Sequence, residues 1–266
     1  MAARWGFRQQ ADQEIRGTVG ALSARLLGRG GAPRGLTLVV GADEAGGLIW
    51  VDLRSPRSGH VLIVGDDPAA RSELLRTAMM SLSLRASPAE VQLAGVDPSG
   101  RELRVLEALP HALAPLAERP QEADDLLAWL ADECRRRLVR GQQRPEIVLF
   151  INGVGEQRVE GIAYAARLED VLRLGPLSGV HVVAASHFAV KGIPWASRTC
   201  LLEAVTSAVP GVFRLRLDDG RSTVVRPVSL GARDLDEAVR WIRGERGGHQ
   251  PGDLAAHVIG WTQERS

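Results

Sequence analysis

Residues 60–75, HVLIVGDDPAARSELL, hold the frame of a phosphate-binding loop. An apolar strand, His60 to Val64, runs into Gly65, a short polar turn follows, and a helix is expected to open at about residue 71. In the pattern G-x-x-x-x-G-K-[ST] the chemistry comes from three sources. Backbone N–H groups converge on phosphate at a helix N-terminus, a lysine adds charge, and a hydroxyl holds Mg²⁺. Here the corresponding residues are Gly65, Asp66, Asp67, Pro68, Ala69, Ala70, Arg71 and Ser72. Gly65 and Ser72 keep the frame. Asp66 and Asp67 put two negative charges where a polyanion would sit, and Pro68 removes a donor N–H. Ala70 adds a methyl where the backbone must approach closely, and Arg71 is a bulkier planar fork than an ammonium point charge. Together these changes argue against tight ATP binding.

The sequence holds a single lysine, Lys191, followed by Gly192, so no intact lysine-bearing phosphate loop lies elsewhere in the chain. Other residues able to do chemistry read more plainly. Asp97 precedes Pro98 at the end of a strand-like run, either as turn chemistry or as a site acid. His60, His111 and His181 lack ligand-like spacing, and no metal site is expected. Arg135, Arg136, Arg137, Arg140 and Arg144 either contact phosphates or form the solvated basic end of a helix. Cys134 and Cys200 are far apart and are expected to be reduced and buried.

The 266 residues carry a net charge of +1, which gives no global field toward nucleic acid or an anionic membrane. The first residues have no apolar signal-peptide core and no long apolar run follows, so a cytoplasmic location and no membrane contact are expected.

The elements that must position these residues follow from periodicity. Residues 1–34 carry Ile15, Val19, Leu22 and Leu26 at helical spacing and end in the breaker GRGGAPRG. LTLVVG and GLIWVDL around ADEAG read as a β-hairpin. Then strands and helices alternate: strand 60–64, helix 71–85, strand 91–96, helix 121–140, strand 147–151, helix 159–174 and strand 180–186. Two closing strands, 211–217 and 222–230, precede a helix at 234–244 capped by Asp234. This order implies a three-layer α/β fold with a mainly parallel central sheet. The expected organisation is an N-terminal helix and linker at 1–34, one domain at 35–245 and a tail at 246–266.

From Leu36 to Gly244 the chain resembles the motor domain of the FtsK/SpoIIIE family of DNA translocases, RecA-like P-loop ATPases related to the ATPases of type VII secretion. The matching features come in family order: the hairpin and loop of residues 38–67, ASPAEVQLAGVDPSGREL, LEALPH, DECRRR, IVLFINGVGE, GVHVVAAS and PGVFRLRLDDG. The resemblance implies the RecA-like P-loop fold, preceded by the N-terminal helix and hairpin. It also implies an aspartate and then a glutamate after the buried strand of IVLFINGVGE, to order Mg²⁺ and polarise the attacking water. At those positions stand Asn152 and Gly153, and Glu156 lies too late to substitute. Ser186 and His187 replace the sensor Thr-Gln, and Arg198 is a nominal arginine finger.

Two correlated losses in an otherwise intact frame point to an inactive copy of the motor domain, serving as a binding or assembly module. No catalytic residue and no cofactor are expected, with ATP and Mg²⁺ binding only if the altered loop still functions. The resemblance implies a protein partner, either an intact motor of the family or a secretion component, and is compatible with an oligomer. A translocase with divergent motifs and a DNA-binding accessory are the alternatives.

Overall fold

The computed structural model describes residues 36–55, 58–154, 162–188, 199–205, 211–216 and 222–244. The expected N-terminal helix, the 246–266 tail, Glu156, Lys191 and Arg198 lie outside the described residues.

The chain enters through an antiparallel hairpin, β1 (Thr37–Ala42) and β2 (Leu48–Asp52), as the alternation around its polar turn predicts. β3 (His60–Val64) leads to α1 (Pro68–Ser83) and β4 (Val91–Val96). A short 3₁₀ turn at Arg104–Ala108 and α2 (Pro120–Arg140) follow. Then come β5 (Glu146–Asn152), α3 (Ile162–Ser178), β6 (Val180–Ser186) and β7 (Thr199–Ala204). β8 (Phe213–Arg216), β9 (Ser222–Val225) and α4 (Ala232–Ile242) close the domain.

The main sheet has the order β4-β5-β6-β3-β7-β8-β9. β4 through β7 are parallel in space, and β8 and β9 add antiparallel edges. β5 explains the layering: its residues are buried on both faces, as an uninterrupted apolar run requires of a central parallel strand. Val148 and Phe150 face one core with Leu74, Leu75 and Met79 of α1 and Leu38 and Val39 of β1. Ile147, Leu149 and Ile151 face the other, with Leu127 and Leu130 of α2 and Leu168 and Val171 of α3. The alternation of period two thus assigns α1, α4 and the hairpin to one layer and α2 and α3 to the opposite layer.

The structure departs from the sequence expectations at element ends and in one strand. α1 starts at Pro68, not near residue 71, because Asp67 caps it and Pro68 supplies a preorganised first-turn φ. α3 runs to Ser178, four residues beyond the expected 174, carrying Pro176 inside it. α4 starts at Ala232 with Gly231 as its N-cap, and Asp234 sits within the first turn, its carboxylate accepting the Gly231 N–H at 3.1 Å. β7 is a strand that the alternation of Thr199–Ala204 does not predict. It is the parallel neighbour of β3 with Leu201 opposite Leu62, and the sheet continues through it into β8 and β9.

Candidate functional site at the carboxyl edge of the sheet

In parallel sheets ligands gather at the carboxyl ends of the strands, where a strand order reversal opens a crevice. Register brings the relevant residues together there. Val64 lies opposite both Ser186 of β6 and Glu203 of β7, and Asn152 lies opposite Ala185. The Gly65 N–H donates to the Ser186 carbonyl at 3.1 Å, so the loop after β3 leaves the sheet beside the end of β6.

The loop itself is short and closed by its own side chains. Asp67, in extended conformation, accepts on Oδ1 from the N–H groups of Ala69 at 3.0 Å and Ala70 at 3.2 Å. The Arg71 N–H donates to the Asp67 carbonyl at 3.2 Å, the ordinary first bond of a helix. The residues that would arch around a phosphate are therefore the first turn of α1, and two of their amides already hold a carboxylate. The Arg71 guanidinium is 4% exposed and donates through Nη1 to the Gly65 carbonyl. Ala70 and Ser72 are buried as well.

Backbone from the β7–β8 region packs against this turn. A Cβ placed on Gly65 would lie 2.8 Å from the Ala204 methyl and 3.0 Å from the Phe213 ring, so only glycine fits at the end of β3. Gly211, at φ +73°, sits over the start of α1; a Cβ there would lie 3.3 Å from the Ala70 methyl and 3.6 Å from Asp67 Oδ2.

One crevice carboxylate is fully buried. Asp97, at the end of β4, has no solvent exposure. Its Oδ1 accepts from the Ser99 N–H at 3.1 Å, the Ser99 hydroxyl at 2.8 Å and Asn152 Nδ2 at 3.1 Å; its Oδ2 accepts from the Leu103 N–H at 3.0 Å. Burial pushes its pKa upward, but the Leu103 amide, Ser99 and Asn152 together outweigh burial and hold it below the ordinary aspartate value. Asp97 therefore closes the turn after β4, the turn chemistry its Asp-Pro position predicts, and also links to the end of β5 through Asn152. Gly153, at φ +82°, turns the chain away, its N–H donating to the Ala185 carbonyl at 3.0 Å.

Beyond β6, the buried Ser186 hydroxyl donates to the Phe188 carbonyl at 2.7 Å, and the Phe188 N–H returns to it at 3.3 Å. The hydroxyl of the sensor position thus serves the local turn. His187 meets Phe188 edge-on, with ring centroids 4.1 Å apart.

The other candidates lie away from this edge. His60 and His181 sit at the opposite ends of β3 and β6, where His60 Nδ1 accepts the Val182 N–H at 3.0 Å and His181 Nδ1 meets the Gly59 carbonyl at 2.8 Å. His111 Nε2 meets the Ala86 carbonyl at 2.7 Å. The basic run of α2 is not a solvated helix end throughout. Arg137 is 3% exposed, binds Glu133 at 2.6 Å and donates to the Pro145 and Ser178 carbonyls at 2.7 and 3.3 Å. Arg136 pairs with Glu133, and Arg135 pairs with Asp132 and Asp170. Cys134 and Cys200 are buried, and burial pushes the Cys134 thiol pKa up. Among the described residues no His, Cys, Asp or Glu cluster could hold a metal ion, and no helix is long and apolar enough to cross a membrane.

Sequence reasoning missed the capping role of Asp67 and the packing of Gly211 over the loop. The first had a local signal, since Asp followed by Pro is the N-cap and first-turn pattern of a helix. The second depends on a contact between segments far apart in sequence.

A mixed α/β domain with a mainly parallel central sheet, and with the loop of its first sheet strand opening a helix, has the fold of the RecA-like P-loop ATPases. Solved structures agree. EccC of Thermomonospora curvata, its ATPases 2 and 3 in complex with a signal sequence peptide, aligns at TM-score 0.62 with 17% identity, over 76% of this chain and 42% of that one. The conjugation coupling protein TcpA of pCW3, in its monomer form with ATPgS, aligns at TM-score 0.62 with 16% identity, over 77% of this chain and 70% of that one. At the level of family, residues 32–233 match the FtsK/SpoIIIE family, and the chain belongs to it. It is similar to the DNA translocase FtsK of Mycobacterium tuberculosis (strain H37Rv), 32% identical over 126 residues, 47% of this chain and 15% of that protein. It is also similar to the FtsK of Clostridium tetani, 34% identical over 104 residues, 39% of this chain and 14% of that protein. The chain thus spans a small part of the length of these relatives.

Proposed function

We propose that this chain is a catalytically inactive FtsK/SpoIIIE-like domain that acts as a binding or assembly module of a larger translocation, DNA-processing or secretion machine. The observation that carries this reading is the state of the loop amides: Ala69 and Ala70 donate to the Asp67 carboxylate at 3.0 and 3.2 Å. The group the family implies is a magnesium-bound nucleoside triphosphate, and the residues present do not fit it. The anion donors hold an internal anion, Asp66 adds a further negative charge nearby, and the cation of the loop is turned onto the Gly65 carbonyl. At the end of β5, Asn152 brings no charge to a cation and donates its amide to Asp97, and Gly153 has no side chain to act as a base.

With the chemistry gone, the preserved fold still presents family surfaces to partners. Relatives of this chain are DNA translocases, and a structural neighbour was solved with a signal sequence peptide. These support a protein partner from a motor or secretion assembly, and an oligomer with an intact motor of the family is the form to look for first.

The test is direct. Thermal unfolding with millimolar Mg²⁺–ATP is expected to match unfolding without it, and phosphate release with and without duplex DNA is expected to stay at the blank. Stabilisation by several degrees, or DNA-stimulated phosphate release, would replace this reading with a divergent translocase. Sedimentation of the chain with an intact FtsK-family motor from the same genome is expected to give a joint species; separate boundaries at micromolar concentrations would remove the motor-assembly form of the proposal.

A further inference from the structure

We infer that Asp67 is a built-in occupant of the anion position, so that the site is closed by the fold of its backbone and not merely by the loss of the lysine; this rests on the inactive-domain reading above. A phosphate loop binds because several consecutive N–H groups are left open to the ligand. Here the turn from Pro68 to Arg71 leaves none of its own N–H groups open. Pro68 has no N–H, Ala69 and Ala70 donate to the Asp67 carboxylate, and the Arg71 amide donates to the Asp67 carbonyl. Asp67 Oδ1, which accepts both amides, stands in for a single phosphate oxygen, tethered one residue before the helix and present at very high effective concentration.

A second contact locks the arrangement. Gly211 lies over the Asp67–Ala70 turn, where even an added methyl would crowd the Ala70 methyl at 3.3 Å. The turn therefore cannot swell outward into an arch without displacing Gly211. Arg71 is held on the inner side by the Gly65 carbonyl. It follows that a lysine at residue 71 would enter a closed turn and gain no anion.

Charge repulsion by Asp66 and Asp67 would also exclude phosphate, and the two causes separate experimentally. Asn caps helices about as well as Asp, so Asp67→Asn removes one charge and keeps the cap. The probe is inorganic pyrophosphate at about 10 mM, read by thermal unfolding and by the backbone amide resonances of Ala69 and Ala70. Wild type, Asp67→Asn and Arg71→Lys are expected to show no response. A loop variant carrying Asp66→Gly, Asp67→Ser, Pro68→Gly, Ala70→Gly and Arg71→Lys is expected to gain about 3 °C, as a ligand present at several times its dissociation constant gives. Asp67→Ala, which keeps the rest of the turn, is expected to shift the two amide resonances on adding pyrophosphate, and it decides the matter if the loop variant does not fold. A response from Asp67→Asn or from Arg71→Lys alone would overturn the inference in favour of simple charge exclusion, as would a silent Asp67→Ala. Those results leave the inactive-domain reading intact, whereas stabilisation of the wild type by Mg²⁺–ATP would overturn that reading itself.

Discussion

Replacing Asn152 with aspartate puts a carboxylate oxygen where the amide now donates to Asp97 at 3.1 Å. Asp97 is fully buried and ionised, and Asn152 is half-buried. Two unit charges at that distance repel by about 5 kcal/mol at an effective dielectric of ~20 and by about 3 kcal/mol at ~40, a value suited to the more solvated partner. The protein can avoid this by protonating one of the pair. At pH 7.5 that costs about 5 kcal/mol for a group with an ordinary aspartate pKa near 3.9, and at pH 5.5 it costs about 2 kcal/mol. Asn152→Asp is therefore expected to lose about 3 to 5 kcal/mol at pH 7.5 and about 2 kcal/mol at pH 5.5. The sign follows from proton counting: the native variant pair has a raised pKa and binds more protons than the unfolded chain, so falling pH relieves the penalty. Asn152→Ala removes the hydrogen bond without adding charge and is expected to cost about 1.5 to 3 kcal/mol at both pH values. The assay is urea denaturation in a chelating buffer that keeps divalent cations from bridging the pair. A loss below about 1 kcal/mol at both pH values, or a penalty that grows on acidification, would refute the coupling of Asp97 to residue 152.

Burial holds the imidazoles of His181 and His111 below the ordinary value, so the native chain stays neutral where the unfolded chain takes up protons. Their contribution to stability is complete above about pH 6.5 and falls as the pH drops, by up to about 1.4 kcal/mol per pH unit for each group. Urea midpoints between pH 7.5 and 5.5 check it, and His181→Asn should flatten the slope. Gly65→Ala is expected to cost about 2 to 3 kcal/mol by overpacking against Ala204 and Phe213, while Gly141→Ala, with open space around a left-handed backbone, should cost about 1 kcal/mol; a Gly65→Ala loss no larger than that of Gly141→Ala in denaturant titrations would contradict the packing argument. Arg137→Met leaves the buried Glu133 with Arg136 alone and strips the Pro145 and Ser178 carbonyls of a donor, for an expected loss of about 3 to 5 kcal/mol. A loss under about 1 kcal/mol would mean that the ion pair and its carbonyl contacts stabilise little.

The sequence alone determined the layered α/β class, because short uninterrupted apolar runs such as IVLFI, bounded by turn signals and alternating with helical stripes, fit strands buried on both faces of a parallel sheet whose faces those helices cover. It also placed the altered loop and Asn152 at strand ends, since both positions follow directly from where the apolar runs stop. What it read wrongly was local: taking the phosphate-loop frame as a guide put the start of α1 near residue 71, although the Asp67–Pro68 pair signals the earlier start. β7 went unread because Thr199–Ala204 carries no strong alternation, and it becomes a strand by pairing with β3 and β8. Tertiary structure alone decided the state of the site. That Asn152 reaches Asp97 depends on β4 and β5 being neighbours, and that Gly211 lies beside Ala70 depends on the chain before β8 returning to the start of α1. Such contacts join residues that are distant in the chain, and no local pattern encodes the distance between them.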